Sequence, residues 1–127
     1  AENGAQMKDY YNIFVDLCLQ TCTQHDYRST AKVLKHNRAM TKIIEITKEI
    51  DDTGNSAVFE ELLNHEDERV RLNAAYDCLR TNISVRKACK ELKRLAKKSK
   101  DASISFSAKM TLEQKRSIML GDKKAGK

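Results

Sequence analysis

A chain of 127 residues with 40% hydrophobic side chains holds enough apolar material for one core and not for two. That hydrophobic share argues against a disordered chain, and together with the lack of Pro and Trp and an aromatic content of 6% it points to a helical domain packed with aliphatic side chains. The formal net charge of +6 directs attention to anionic partners, whereas no apolar run approaches the ~20 residues that span a bilayer and no signal peptide is visible, which predicts a soluble, cytoplasmic protein without a membrane partner.

Residues 1–6, AENGAQ, are small and polar and read as an expression remnant or a frayed end ahead of Met7. From about Asp9 to Thr23, Tyr10, Phe14, Leu17, Cys18 and Cys22 recur at the spacing of an amphipathic first helix. Gln24-His25-Asp26 breaks it. A second and longest helix then runs from about Tyr27 to Ile50 through Ala31, Leu34, Met40, Ile43, Ile44, Ile46 and Ile50. The wide apolar arc of its Ile-rich half predicts neighbours on two sides. Gly54 ends it by supplying a left-handed backbone angle. Asn55 or Ser56 is expected to cap a third helix, Ala57 to Leu63, that turns Val58, Phe59, Leu62 and Leu63 inward.

Asn64-His65-Glu66 interrupt the apolar face closed by Leu62 and Leu63, and Asp67 stands where an N-cap belongs, able to accept from the free amides of a fourth helix. Val70, Ala74, Cys78 and Leu79 recur at helical spacing, and Ala74-Ala75 is small enough to let another helix approach. Ser84 is expected to cap a fifth helix with a buried stripe of Val85, Ala88, Cys89, Leu92, Leu95 and Ala96. Its other face is basic: Arg86, Lys87, Lys90, Lys93, Arg94, Lys97, Lys98 and Lys100 are relieved only by Glu91 and Asp101. A last helix begins near Ser103 and carries Ile104, Ala108, Met110, Leu112 and Met119 before Gly121 and a flexible basic tail, residues 121–127.

Val70, Leu72, Ala74, Tyr76 and Cys78 align with Ile104, Phe106, Ala108, Met110 and Leu112 at one constant offset of 34 residues, the length of a two-helix repeat. The six helices therefore group into three hairpins within one domain, residues 7–120. Leu62-Leu63, the polar turn with Asp67, Val70-Arg71, Ala74-Ala75 and Leu79 resemble the core of a HEAT repeat, the unit of α-solenoids. Family turns carry prolines and this one has none, with Glu66 and Glu68 in their place, which predicts a looser turn. Ser105 to Leu112 is similar to the closing segment of a small bacterial HEAT-like family of uncharacterised proteins. That resemblance implies an all-α, HEAT-like solenoid, and related small helical proteins sit beside bacterial toxins as immunity proteins.

Little in the sequence suggests chemistry. Cys18, Cys22, Cys78 and Cys89 form no CxxC pair and join no His at ligand spacing, so they read as buried thiols in a reducing compartment and no metal site is expected. His25, His36 and His65 are isolated; His65, at the hairpin corner, is expected to bond a backbone carbonyl. The four glycines make no phosphate loop, and the adjacent acids Glu60-Glu61 and Glu66-Asp67-Glu68 point different ways on a helix surface. No catalytic residue and no cofactor is assigned.

Charge is the stronger signal. Residues 45–68 hold nine acids against Lys48 alone, and from Arg69 onward basic residues outnumber acids more than threefold, a polarity suited to electrostatically guided association. In stacked helical pairs the second helices line a concave surface, which assigns partner contact to Arg69, Asn73, Tyr76, Asp77 and Arg80 of the fourth helix with Arg38, Glu45 and Glu49 of the second. The expected function is protein binding, in its concrete form an immunity protein that neutralises a cognate bacterial toxin. The alternative is non-specific nucleic-acid binding through Lys90, Lys93, Lys97 and Lys100, without base stacking because no aromatic side chain interleaves them.

Overall fold

The computed structural model describes residues 9–21 and 29–121. The expected remnant at 1–6, the break at Gln24-His25-Asp26, Cys22 and the tail beyond Gly121 lie outside the described residues. Within them the chain is all-α, with seven helices and no strand: α1 (Tyr10–Leu19), α2 (Thr30–Asp52), α3 (Val58–Leu62), α4 (Glu68–Thr81), α5 (Val85–Lys98), α6 (Ala102–Glu113) and α7 (Lys115–Leu120). The count exceeds the expected six because the last helix divides at Gln114, whose backbone leaves helical geometry while its amide still bonds Met110 O at 3.0 Å.

Side chains set most helix ends. Asp9, Ser29, Asp67 and Asp101 each accept from a backbone amide in the first turn of α1, α2, α4 and α6, satisfying donors that the helix cannot. Asp67 and Asp101 are 34 residues apart, so the sequence offset extends to the caps. At the end of α2, Gly54 adopts φ +76°, and the Asn55 and Gly54 amides bond Ile50 O and Asp51 O, the paired closure that a left-handed residue permits. Asn82 closes α4 in the same way with φ 61°. The two side-chain caps expected for α3 and α5 are absent. Ser56 donates instead to Asp51, Asn55 to Thr53, and Ser84, itself left-handed at φ 48°, makes no capping bond to α5.

Helix α4 is the centre of the packing. It touches α1, α3, α5, α6 and α7, and Val70, Ala74, Ala75, Cys78 and Leu79 are fully buried, the two alanines allowing backbones to draw close. Phe14 of α1 meets Phe59 of α3 edge-on at 5.8 Å, and Leu92 and Leu95 of α5 with Ile104 and Ala108 of α6 complete the core. Arg71 is buried as well, only 8% exposed. Its Nε donates to Glu91 Oε2 of α5 at 2.8 Å, and its Nη1 to the carbonyls of His65 and Glu66 at 2.7 and 2.8 Å. The proline-free turn is thus held tightly rather than loosely. His65 adds to this with a bond opposite in sense to the expected one, its Nδ1 accepting the Asp67 amide at 3.0 Å.

Helix α2 packs on α1, and Tyr10 donates to Glu49 at 2.9 Å. Ala39, Ile43, Ile46 and Ile50 are buried. On its other apolar side Ile44 is 68% exposed. Of the described cysteines, Cys18 and Cys78 are buried and Cys89 is half-buried, all as free thiols.

Candidate functional site

A groove of about 860 Å³ opens between α2, α4 and α6, with Thr21 contributing from beyond the end of α1. Met40, Ile43 and Ile44 on one wall face Leu72, Tyr76 and Ile104 on the other, forming an apolar strip. Tyr76 is 43% exposed. Thr47 sits in the α2 wall with its hydroxyl buried and without a hydrogen-bond partner among the described residues.

One end of the groove is closed by a charged clasp. Arg80 Nη1 and Nη2 reach the two oxygens of Asp51 on α2 at 2.5 and 3.3 Å, and its Nε donates to Asp77 at 3.0 Å. The guanidinium also lies over the Phe59 ring, 5.9 Å from its centre. Burial pushes the Asp77 carboxyl up to about 7 although Arg80 favours its charged form. Nearer α1, Arg69 donates to the carbonyls of Leu19 and Thr21 at 3.2 Å while its Nη2 pairs with Asp67 at 3.1 Å. Asn73 donates to Arg69 O.

The structure brings together Arg69, Asn73, Tyr76, Asp77 and Arg80 as groove-lining residues. They are not equivalent. Asp77 is only 4% exposed and faces its own clasp, and Arg69 and Arg80 hold the scaffold with their charged ends, so Tyr76 is the exposed anchor of the five. Arg38, Glu45 and Glu49 do not join them: Arg38 and Glu45 are exposed elsewhere on α2, and Glu49 turns to Tyr10. The sequence does not single out Ile43, Ile44, Thr47, Leu72 and Ile104 as groove residues, since apolar helical spacing signals core as readily as an open wall.

Lys90, Lys93, Lys97 and Lys100 are all exposed, and no α5 residue lines the groove. His36 lines it. Among the described residues, no three His, Cys, Asp or Glu side chains are grouped to hold a metal ion, and no helix is long and apolar enough to cross a membrane.

A family model for a domain of unknown function, DUF2019, matches residues 8–115. The chain belongs to the DUF2019 family. No curated protein and no solved structure matches it. The matched span contains every helix from α1 to α6, and therefore all three walls of the groove.

Proposed function

We propose that this DUF2019 chain is a protein-binding module of HEAT-like helical pairs that receives a partner in the groove between α2, α4 and α6. The observation that carries this reading is the exposed apolar strip, with Ile44 and Tyr76 on opposing walls of a groove whose end is fixed by the Arg80 clasp. Exposed apolar side chains on opposing walls, one of them an aromatic ring with a polar tip, are suited to seating a partner's apolar side chain. The HEAT-like form is supported by the common offset of the Asp67 and Asp101 caps and by the groove's use of the second helix of each successive pair. The sharper form, an immunity protein that covers a cognate bacterial toxin, draws its support from the resemblance of residues 105–112 and from the charge polarity of the chain.

The test is capture from the native host with the unaltered chain and with the Ile44→Asp/Tyr76→Ala variant, whose two positions are exposed. A partner held by the first and lost by the second is expected. Equal capture by both would overturn the groove reading. Expression of the captured protein alone then decides the sharper form: growth arrest relieved by co-expression of this chain is expected, and a harmless partner removes the toxin.

A further inference from the structure

We propose a second, separate interaction face: the outward side of α5 binds double-stranded nucleic acid through its phosphate backbone. Arg86, Lys90, Lys93 and Lys97 lie at intervals of four, three and four residues, so they form one stripe along an exposed helix face. From the first to the last the stripe extends roughly 16 Å at the α-helical rise. Helix α5 carries one acid, and the structure turns it away from this face: Glu91 is taken by the buried Arg71 at 2.8 Å, with Arg94 reaching it at 3.7 Å. Lys87 is taken by Glu60 at 3.0 Å. None of the four stripe cations has an ion pair among the described residues. Placing cations near a helix C-terminus stabilises the helix dipole and accounts for Lys97 and Lys98, but not for Arg86, Lys90 and Lys93 in its first two-thirds.

The chemistry of the face selects among polyanions. Cations one helical turn apart suit a row of phosphates, and charge complementarity alone gives sequence-independent binding. A single strand is normally held by stacking its bases on aromatic rings, and α5 has none. An anionic membrane is held by an amphipathic helix that sinks its apolar side into the lipid, whereas the apolar side of α5, with Ala88, Leu92 and Leu95, is buried in the core. A duplex, read by its backbone, is the partner left. This face owes nothing to the groove reading, since α5 contributes no groove residue.

The experiment is fluorescence anisotropy of a labelled mixed-sequence DNA duplex of about 20 base pairs, titrated with the full chain between about 50 and about 200 mM salt. Four phosphate contacts predict a log–log salt slope of about −3.6, which weakens binding roughly a hundredfold across that range. Lys90→Glu/Lys93→Glu/Lys97→Glu should abolish binding. Lys35→Glu/Lys42→Glu/Lys109→Glu changes the net charge equally at exposed positions on α2 and α6 and should retain it. If the triple reversal on α5 disturbs helicity, Lys93→Gln serves instead and should reduce the slope by about 0.9. No binding at low salt, equal loss in the two triple variants, or tighter binding to a single strand or to vesicles of anionic lipid would each overturn the proposal.

Discussion

Asp77 is an acid enclosed by its own fold, and its titration follows from that position. Burial holds its carboxyl near 7 against the pull of Arg80, whereas an unfolded aspartate titrates at about 3.9. Between those values the folded chain keeps a proton that the unfolded chain has released, so raising the pH from about 4 to about 7 favours unfolding through this group. Asp77→Asn removes the titration while preserving the shape. Relative to the unaltered chain it should gain stability as the pH rises, by up to ~1.4 kcal/mol per pH unit within the window. Urea denaturation of both chains at about pH 5 and about pH 8 reads the difference. An unchanging difference would mean that Asp77 ionises as it does in water. Helical spacing put Asp77 on the outward face of α4, and that much is legible in sequence. Its enclosure depends on Arg80 folding back over it, which spacing does not encode.

At the scale of elements, Arg71 joins three: it holds the carbonyls of the α3–α4 turn, belongs to α4 and pairs with Glu91 of α5. Arg71→Met leaves Glu91 charged and largely buried with only the longer, half-exposed contact to Arg94 at 3.7 Å, and should lower the unfolding free energy by about 3 kcal/mol. Arg71→Met combined with Glu91→Leu should recover a large part of that loss, as each substitution removes the other's unpaired partner. Equilibrium urea denaturation measures both, and additive losses would show that the two side chains act independently. The helices themselves were largely readable. Asp67 caps α4 as its spacing predicts because capping is local, settled by a carboxylate within two residues of its donor. Ser84 fails as a cap for an equally local reason, since Asn82 and Ser84 both take left-handed angles to reverse the chain between α4 and α5. The division at Gln114 was hidden because apolar residues continue past it with no Gly or Pro to mark it. The tight α3–α4 turn was hidden because an arginine beside Val70 reads as surface until its three acceptors are known.

Across the whole molecule, two faces differ in character: an apolar groove walled by α2, α4 and α6, and a basic stripe on α5 outside it. The stripe was legible because like charges at helical spacing must share a face. The groove was not, because apolar spacing marks a packed face and an open wall alike: of the Ile-rich arc that predicted two packed neighbours, Ile43, Ile46 and Ile50 are buried and Ile44 stands exposed. Beneath both faces lie thiols at different depths. Cys18 and Cys78 have no exposure, and burial raises both, Cys78 to about 12, whereas Cys89 is only half-buried. A thiolate is the reactive form, so the two enclosed sulfurs are silent toward alkylating reagents in the folded chain. Among the thiols of the described residues, iodoacetamide followed by mass spectrometry should therefore mark Cys89 first, and Cys18 and Cys78 together and more slowly. Modification of Cys18 and Cys78 at separate rates would show that α1 and α4 come apart independently. The chain in this way carries its own clock: the pace at which its innermost sulfurs are consumed counts the moments when the helices part.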